Sequence, residues 1–200
     1  MESATIEQNI SIKGHYRLIE ADPSKAPVEY GELLAWLKEN PLSEMKTEAE
    51  KAYHRDHYNR LVSRYNSKAQ VAVYEFDNLV PTVGRNVLAR LLAGDVTYSG
   101  EINYFALGSG VTAPANGDTQ LGTETYRQAT TSQTTVNNIA YLSCFIVAGS
   151  ATGTHAEGGL FIDGTGSANS GQLFSHVLFS PNIVKSALNS LTLDTSITLT

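Results

Sequence analysis

Three groups of residues in this chain have types and spacings that could do chemistry. Gly108, Gly110 and Ala113, in "NYFALGSGVTAPANGDTQLGTETYR", match the G-x-G-x-x-G/A pattern that holds a dinucleotide phosphate, and they follow a stretch that reads as a strand. His54, Asp56 and His57 lie in "YHRDHYNR", where two histidines three apart share one side of a helix and would suit a metal if a carboxylate joined them. Tyrosines 98, 104, 126 and 141 are rings on which a sugar could stack.

Each group meets a plainer reading. A phosphate site of the dinucleotide type needs a helix starting at the loop, because free N–H groups and the helix dipole hold the anion. Here Pro114, Asn116-Gly117-Asp118 and Gly122 follow with no amphipathic period, so a turn-rich connection accounts for every glycine. The His54–His57 pair, flanked by Tyr53, Arg55, Tyr58 and Arg60, suits a solvated or protein-contacting stripe better than a metal site. His15, His155 and His176 are scattered, and "GSG" and "GTGS" lack a nucleophile-elbow context. No catalytic, cofactor or metal residue is assigned, and the chain is not expected to be an enzyme. Tyr104 and Tyr141 sit inside apolar segments and are expected in the core, which leaves Tyr98 and Tyr126 as candidate glycan contacts.

The elements that must position these residues divide the chain in two. Of the 14 basic and 20 acidic side chains, 10 and 11 lie in residues 1–70, an asymmetry that marks a boundary near 70. The first ten residues are polar and expected to be mobile. "ISIKGHYRLI" alternates as a strand, "ADPSKAPVEYGE" reads as a loop, and "ELLAWLKEN" is a short helix stopped before Pro41. A second helix starts near Ser43 as N-cap and runs to about Lys68. Its imperfect stripe, with that of the first helix, gives a candidate assembly interface: Leu33, Leu34, Trp36, Leu37, Met45, Tyr53, Tyr58, Leu61 and Tyr65.

From residue 71 the texture changes. "QVAVYEFDNLV" alternates as a strand with Ala72, Tyr74 and Phe76 on one side. An amphipathic helix over about 81–93 ends at Gly94 in a left-handed cap. Strands then follow near 101–107, 123–131, 134–148, 156–163, 172–179 and 190–199. In "SLTLDTSITLT", Leu191, Leu193, Ile197 and Leu199 share a buried face and Thr192, Asp194, Ser196 and Thr198 a solvated one, inside a sheet. Glu124 and Arg127 are three apart, so an extended strand points them to opposite faces with partners elsewhere. The Gly-Ser-Asn tract after Gly164 is expected to be a flexible turn, and paired glycines 158 and 159 to permit close backbone approach. The fold class is therefore mainly β with an α-helical N-terminal part. Residues 71–200 form an antiparallel, jelly-roll-like β-sandwich with one amphipathic helix, and residues 1–70 a largely helical docking region.

Composition limits the partners. A 42% hydrophobic content supports a core without disulfides, and the one cysteine, Cys144, lies in "AYLSCFIVA" as a buried thiol. A net charge of −6 gives no general reason to bind nucleic acid or an anionic membrane. No apolar run approaches the roughly 20 residues of a membrane helix, and the start lacks a secretory layout, so synthesis in a cytoplasm is expected.

The order "VGRNVLARLLAGD", "INYFALGSGVTAPANGDTQLGTETYRQA", "NNIAYLSCFIVAG", "HAEGGLFIDG" and "GQLFSHVLFSPNIVKSALNSLTLDTSITL" resembles a domain common among bacteriophage virion proteins of the tail-fibre, tail-collar or appendage type, over about residues 78–200. Asp194 and Thr195 stand where the resemblance leads one to expect an aromatic. The resemblance implies a non-enzymatic tail, collar, baseplate or fibre-associated protein, made in the host cytoplasm and assembled into the virion with other virion proteins as a trimer or hexamer. Alternatives are a capsid decoration or head-fibre protein, or a module binding a host surface glycan.

Overall fold

A computed structural model describes residues 11–200, so the mobile stretch expected over the first ten lies outside the described residues. The element order is β1 (Ile12–Ala21), α1 (Pro27–Glu39), α2 (Glu48–Ala69), β2 (Gln70–Asn78), α3 (Thr82–Leu92), β3 (Ile102–Gly108), β4 (Glu124–Ala129), β5 (Ser132–Val136), β6 (Ile139–Ile146), β7 (Gly153–Ile162), β8 (Gln172–Lys185) and β9 (Ser190–Leu199). Two antiparallel sheets result, ordered β2-β1-β9-β6-β5 and β4-β3-β7-β8. The antiparallel sandwich read from the sequence is present, and the amphipathic helix sits where its period put it. Gly94, at φ +77, ends α3 in the left-handed region.

Period two builds the core. Tyr16 and Leu18 of β1, Leu191, Leu193 and Ile197 of β9, and Leu142, Cys144 and Ile146 of β6 face Phe105, Leu107, Leu160, Val177 and Phe179 of the other sheet. Each fully buried Leu or Phe contributes roughly 1.5–3 kcal/mol by leaving water. Polar ties between the sheets converge on Ser175 Oγ, which meets Tyr16 Oη at 2.8 Å and accepts from Asn78 Nδ2. Cys144 is a free, buried thiol whose pKa burial pushes up.

Several expected boundaries move for local reasons. The loop expected over "ADPSKAPVEYGE" is largely structured: Pro23 opens a short 3-10 turn and Pro27 is the first residue of α1, where its missing N–H costs nothing. Ser43 falls in another 3-10 turn and does not cap α2. Thr47 does, because its Oγ1 accepts from the Glu50 N–H at 3.1 Å while Glu50 accepts from the Thr47 N–H at 2.8 Å, a reciprocal box Ser43 cannot make. The single strand expected over 134–148 is the hairpin β5–β6, turning at Asn137-Asn138 with Asn137 at φ +53, a conformation asparagine tolerates.

The boundary expected at residue 70 does not divide the sheet. β1 lies between β2 and β9, paired with both along its length, so residues 12–21 are interior to the sandwich. The helices α1 and α2 are an excursion between paired strands β1 and β2, and they pack on the outer face of the five-stranded sheet. Leu33, Tyr58 and Tyr65 are completely buried there with Ala21 and Phe145, while Leu34, Trp36, Leu37 and Leu61 pack against the same cluster. Most of the proposed assembly stripe is thus spent on the chain's own sheet. Met45 is half-buried and only Tyr53, 65% exposed, faces outward.

That packing also overturns the solvated face expected for β9. Ser190 and Thr192 are fully buried beneath α2, where Tyr65 Oη meets Ser190 Oγ at 2.8 Å and Asn66 Nδ2 donates to Thr192 Oγ1 at 3.2 Å. A polar strand face can be covered when the covering helix brings matching hydroxyl and amide groups.

A chain starting at residue 71 should lose cooperative thermal unfolding, because removing β1 opens β9 along one edge; circular dichroism melts would test this. In the full chain, Leu33→Ala should cost about 2–5 kcal/mol in urea denaturation.

Candidate functional site: buried charges and a polar cleft

The glycine loop does hold an anion, and the anion is the protein's own. Between the ends of β3 and β4 the chain wraps the carboxylate of Glu157 from β7. The carboxylate accepts from the N–H groups of Gly110 at 2.9 Å, Gly122 at 3.0 Å and Thr123 at 2.7 Å. A Cβ on Gly108 or Gly110 would come within 2.5 or 2.4 Å of Glu157 Oε1, so close approach requires glycine at both. Ala113 is exposed, and no helix begins in the loop.

His176 of β8 extends this tie. Its Nε2 lies 3.0 Å from Glu157 Oε2 and its Nδ1 2.8 Å from Asp118 Oδ2, which also accepts from the Ala115 N–H at 2.8 Å. Both ring nitrogens donate to carboxylates only when the imidazole is protonated. Burial pushes the Glu157 carboxyl up, but the N–H groups of Thr123, Gly122 and Gly110 with His176 outweigh it and leave the pKa below its ordinary value. Asp118 behaves alike: burial raises it, and the Ala115 N–H and His176 bring it below the ordinary value.

Glu124 and Arg127, expected to point apart, form a bidentate pair at 2.7 and 2.8 Å with side chains only 2% and 4% exposed. The reason is a bulge: Leu107 faces Tyr126 while Gly108 faces Glu124, so Thr125 is an extra residue that returns 124 and 127 to one face. The Arg127 guanidinium stands 4.7 Å from the Phe161 ring centre and donates to the carbonyls of Thr165 and Ser170 at 2.9 and 3.1 Å. Glu124 accepts from the Asn169 N–H at 3.1 Å. The Gly-Ser-Asn tract expected to be flexible is therefore held at both charges. A further buried charge, Lys185, donates to the carbonyls of Ser150 and Asn189 at 2.7 Å each.

The remaining sequence candidates are not brought together. His54 Nε2 meets the Asn40 carbonyl at 2.8 Å, His57 stacks on Trp36 at 4.9 Å, and Asp56 pairs with Arg55. Among the described residues, no group of three or more His, Cys, Asp or Glu is arranged to hold a metal, and no helix is long and apolar enough to cross a membrane. The two glycan candidates are half-buried against the main core: Tyr98 lies beneath Arg90, and Tyr126 donates to Gln128 at 2.8 Å. Tyr141, expected in the core, is 40% exposed because it shares the outer face of β6 with Ser143 and Phe145. Tyr104 lies half-buried against a small outer cluster around Phe161 and Leu121 instead of in the central core.

Tyr141 belongs to a cleft that the sequence alone does not outline. α2 rests on the sheet through Tyr58 and Tyr65, and beside that contact a cavity of about 770 Å³ opens between helix and strands. Two adjacent rows across the sheet supply its floor from every member but those on β2. One runs Glu75, Arg17, Asp194, Ser143, Ser132, and the next Asp77, His15, Ser196, Tyr141, Thr134. Arg55, Asn59, Ser63 and Asn66, one helical face of α2, form the wall. Ser143 Oγ donates to Asp194 at 2.8 Å and also meets Tyr58 Oη at 2.9 Å. Burial pushes the Asp194 carboxyl above its ordinary value, opposed by the Ser143 bond and the charge of Arg17. The departure of Asp194 from the aromatic expected in that strand was the sequence signal. The partners of Asp194 come from three other elements and give none.

No family model, curated protein or solved structure matches this chain.

Two outcomes follow. Glu157→Gln should lower stability by about 3 kcal/mol, because the amide turns N–H groups toward the loop's donors. The contribution of Glu157 and Asp118 is complete above their ordinary values of 4.5 and 3.8 and is lost as pH falls through the lower folded values, so the variant and the wild type should converge in acid urea titrations. Asp194 has the opposite sign. Its folded form holds the proton more tightly, so ionisation costs stability as pH rises, and Asp194→Asn should raise Tm at pH 7 with an advantage that vanishes below about pH 3.8.

Proposed function

We propose that this chain is a non-enzymatic structural protein of a bacteriophage virion, a tail, collar, baseplate or fibre-associated component that works by protein–protein assembly. The observation that carries the reading is how the blocks of the resemblance touch. "DTQLGTETYR" and "HAEGGLF" meet through Glu157, "HVLF" joins them through His176, and Arg127 holds the turn that follows "GLFIDG". In these blocks, side chains that could serve acid–base chemistry are consumed in holding loops, which suits a structural part.

Its partners are other virion proteins and further copies of itself, a trimer or hexamer suiting the symmetry of tail appendages. The helical stripe is turned inward, so assembly uses other surfaces. Leu92, Val96, Val111, Val184 and Leu188 are apolar side chains left strongly exposed. A capsid decoration or head-fibre role is the rival within particles.

Gold-labelled antibody against this chain, applied to purified particles, tests the reading. Label at a tail, collar or baseplate position is expected. Label over the head surface would transfer the protein to the rival, and unlabelled particles that lack the chain by mass spectrometry would end the virion reading.

A further inference from the structure

We infer that the cleft between α2 and the five-stranded sheet is a binding site for a neutral, polyhydroxylated ligand, a short saccharide. The inference goes beyond the assembly role and does not depend on it.

Two observations make the cleft more than a packing gap. Asp194 lies in the central strand opposite Arg17, and among the described residues its one hydrogen bond comes from Ser143. Its neighbours along that face, Ser190, Thr192 and Ser196, are neutral hydroxyls. A half-buried carboxylate that lines a cavity, where a hydroxyl would have served the sheet, marks a candidate functional group. Asn66, also lining the cleft, is 6% exposed, and its buried Oδ1 has no hydrogen-bond partner among the described residues. A buried acceptor left open in this way calls for a donor.

The chemistry of the lining selects the ligand. Asp194 and Asn66 Oδ1 accept, while the guanidinium groups of Arg17 and Arg55 donate. Sugar hydroxyls do both, and adjacent hydroxyl pairs match carboxylate and guanidinium geometry. Tyr141 supplies an accessible ring face beside them, suited to the C–H face of a pyranose. An apolar ligand would leave Asp194 and Asn66 unpaired. An anion would meet Asp194 directly, and both arginines already have acidic neighbours, Glu75 near Arg17 and Asp56 on Arg55. A cavity of about 770 Å³ has room for a short oligosaccharide.

The test uses the whole chain on an array of neutral oligosaccharides of one to four units, built from glucose, galactose, mannose and their N-acetylamino forms, with sialylated and sulfated counterparts. The best neutral binder is then titrated calorimetrically. Binding of a neutral sugar is expected, with at least a tenfold loss of affinity in both Asp194→Asn and Tyr141→Ala and no change in Tyr98→Ala. Amide chemical-shift changes in the wild type should centre on Ser143, Asp194 and Asn66, which keeps the test independent of how the variants fold. No neutral sugar bound at millimolar concentration, preference for the charged counterparts, or binding that survives both cleft substitutions would overturn the proposal.

Discussion

A carboxylate taken out of water has to be met by donors, and in this protein Glu157 is met by backbone. Its partners come from both arms of a long connection and from the neighbouring strand, so a single side chain fixes a loop that has no regular structure of its own. The loop needs glycines because the carboxylate is close, and the carboxylate can be buried because the glycines let N–H groups approach. Neither half is stable without the other. Arg127 and Lys185 repeat the device with opposite sign, gathering carbonyls of the turns that follow β6, β7 and β8. Buried charges thereby order the irregular connections around the sandwich, while the apolar core between the sheets orders the strands.

The helices answer a different constraint. A sheet with two faces has two surfaces to cover, and only one of them faces the other sheet. α1 and α2 cover part of the second face, and they do so with tyrosines, whose rings bury area while their hydroxyls satisfy the serines of the strands below. This is why a mean-polar helix with a weak stripe can pack firmly. The surface salt bridges between the two helices, Glu29 with Lys68 and Glu32 with Arg64, add little in comparison.

What the sequence made legible was whatever depends on neighbours in the chain. The strand "SLTLDTSITLT", the left-handed cap at Gly94 and the amphipathic period of α3 all express local backbone geometry and are found in place, although the strand's expected solvated face is covered at Ser190 and Thr192 and Leu199, expected to be buried, is 44% exposed. The capping box at Thr47 is equally local, since Glu50 stands three residues after it whereas Lys46 stands three after Ser43. The pairing of Glu124 with Arg127 depended on a bulge that one strand cannot reveal, because the extra residue exists only relative to a partner strand. His176 and Asp118 are 58 residues apart and Arg17 and Asp194 face each other only across β1 and β9. Register, and nothing in residue type, joins them. The cleft was therefore invisible except as one charged residue on a face of hydroxyls.

The position of β9 has a kinetic side. It is the strand that unites β2-β1 with β6-β5, and its pairing with β1 brings together Ser11 and Thr200, separated by 189 residues. Closing so long a segment is entropically expensive before any contact repays it, which places this domain among the slow folders of its size. Until that closure, both hairpin halves carry an open margin able to join a stranger's strand. Crowded refolding at high protein concentration would thus favour tangled multimers over the native sandwich, and dilution or a holding chaperone would favour the reverse.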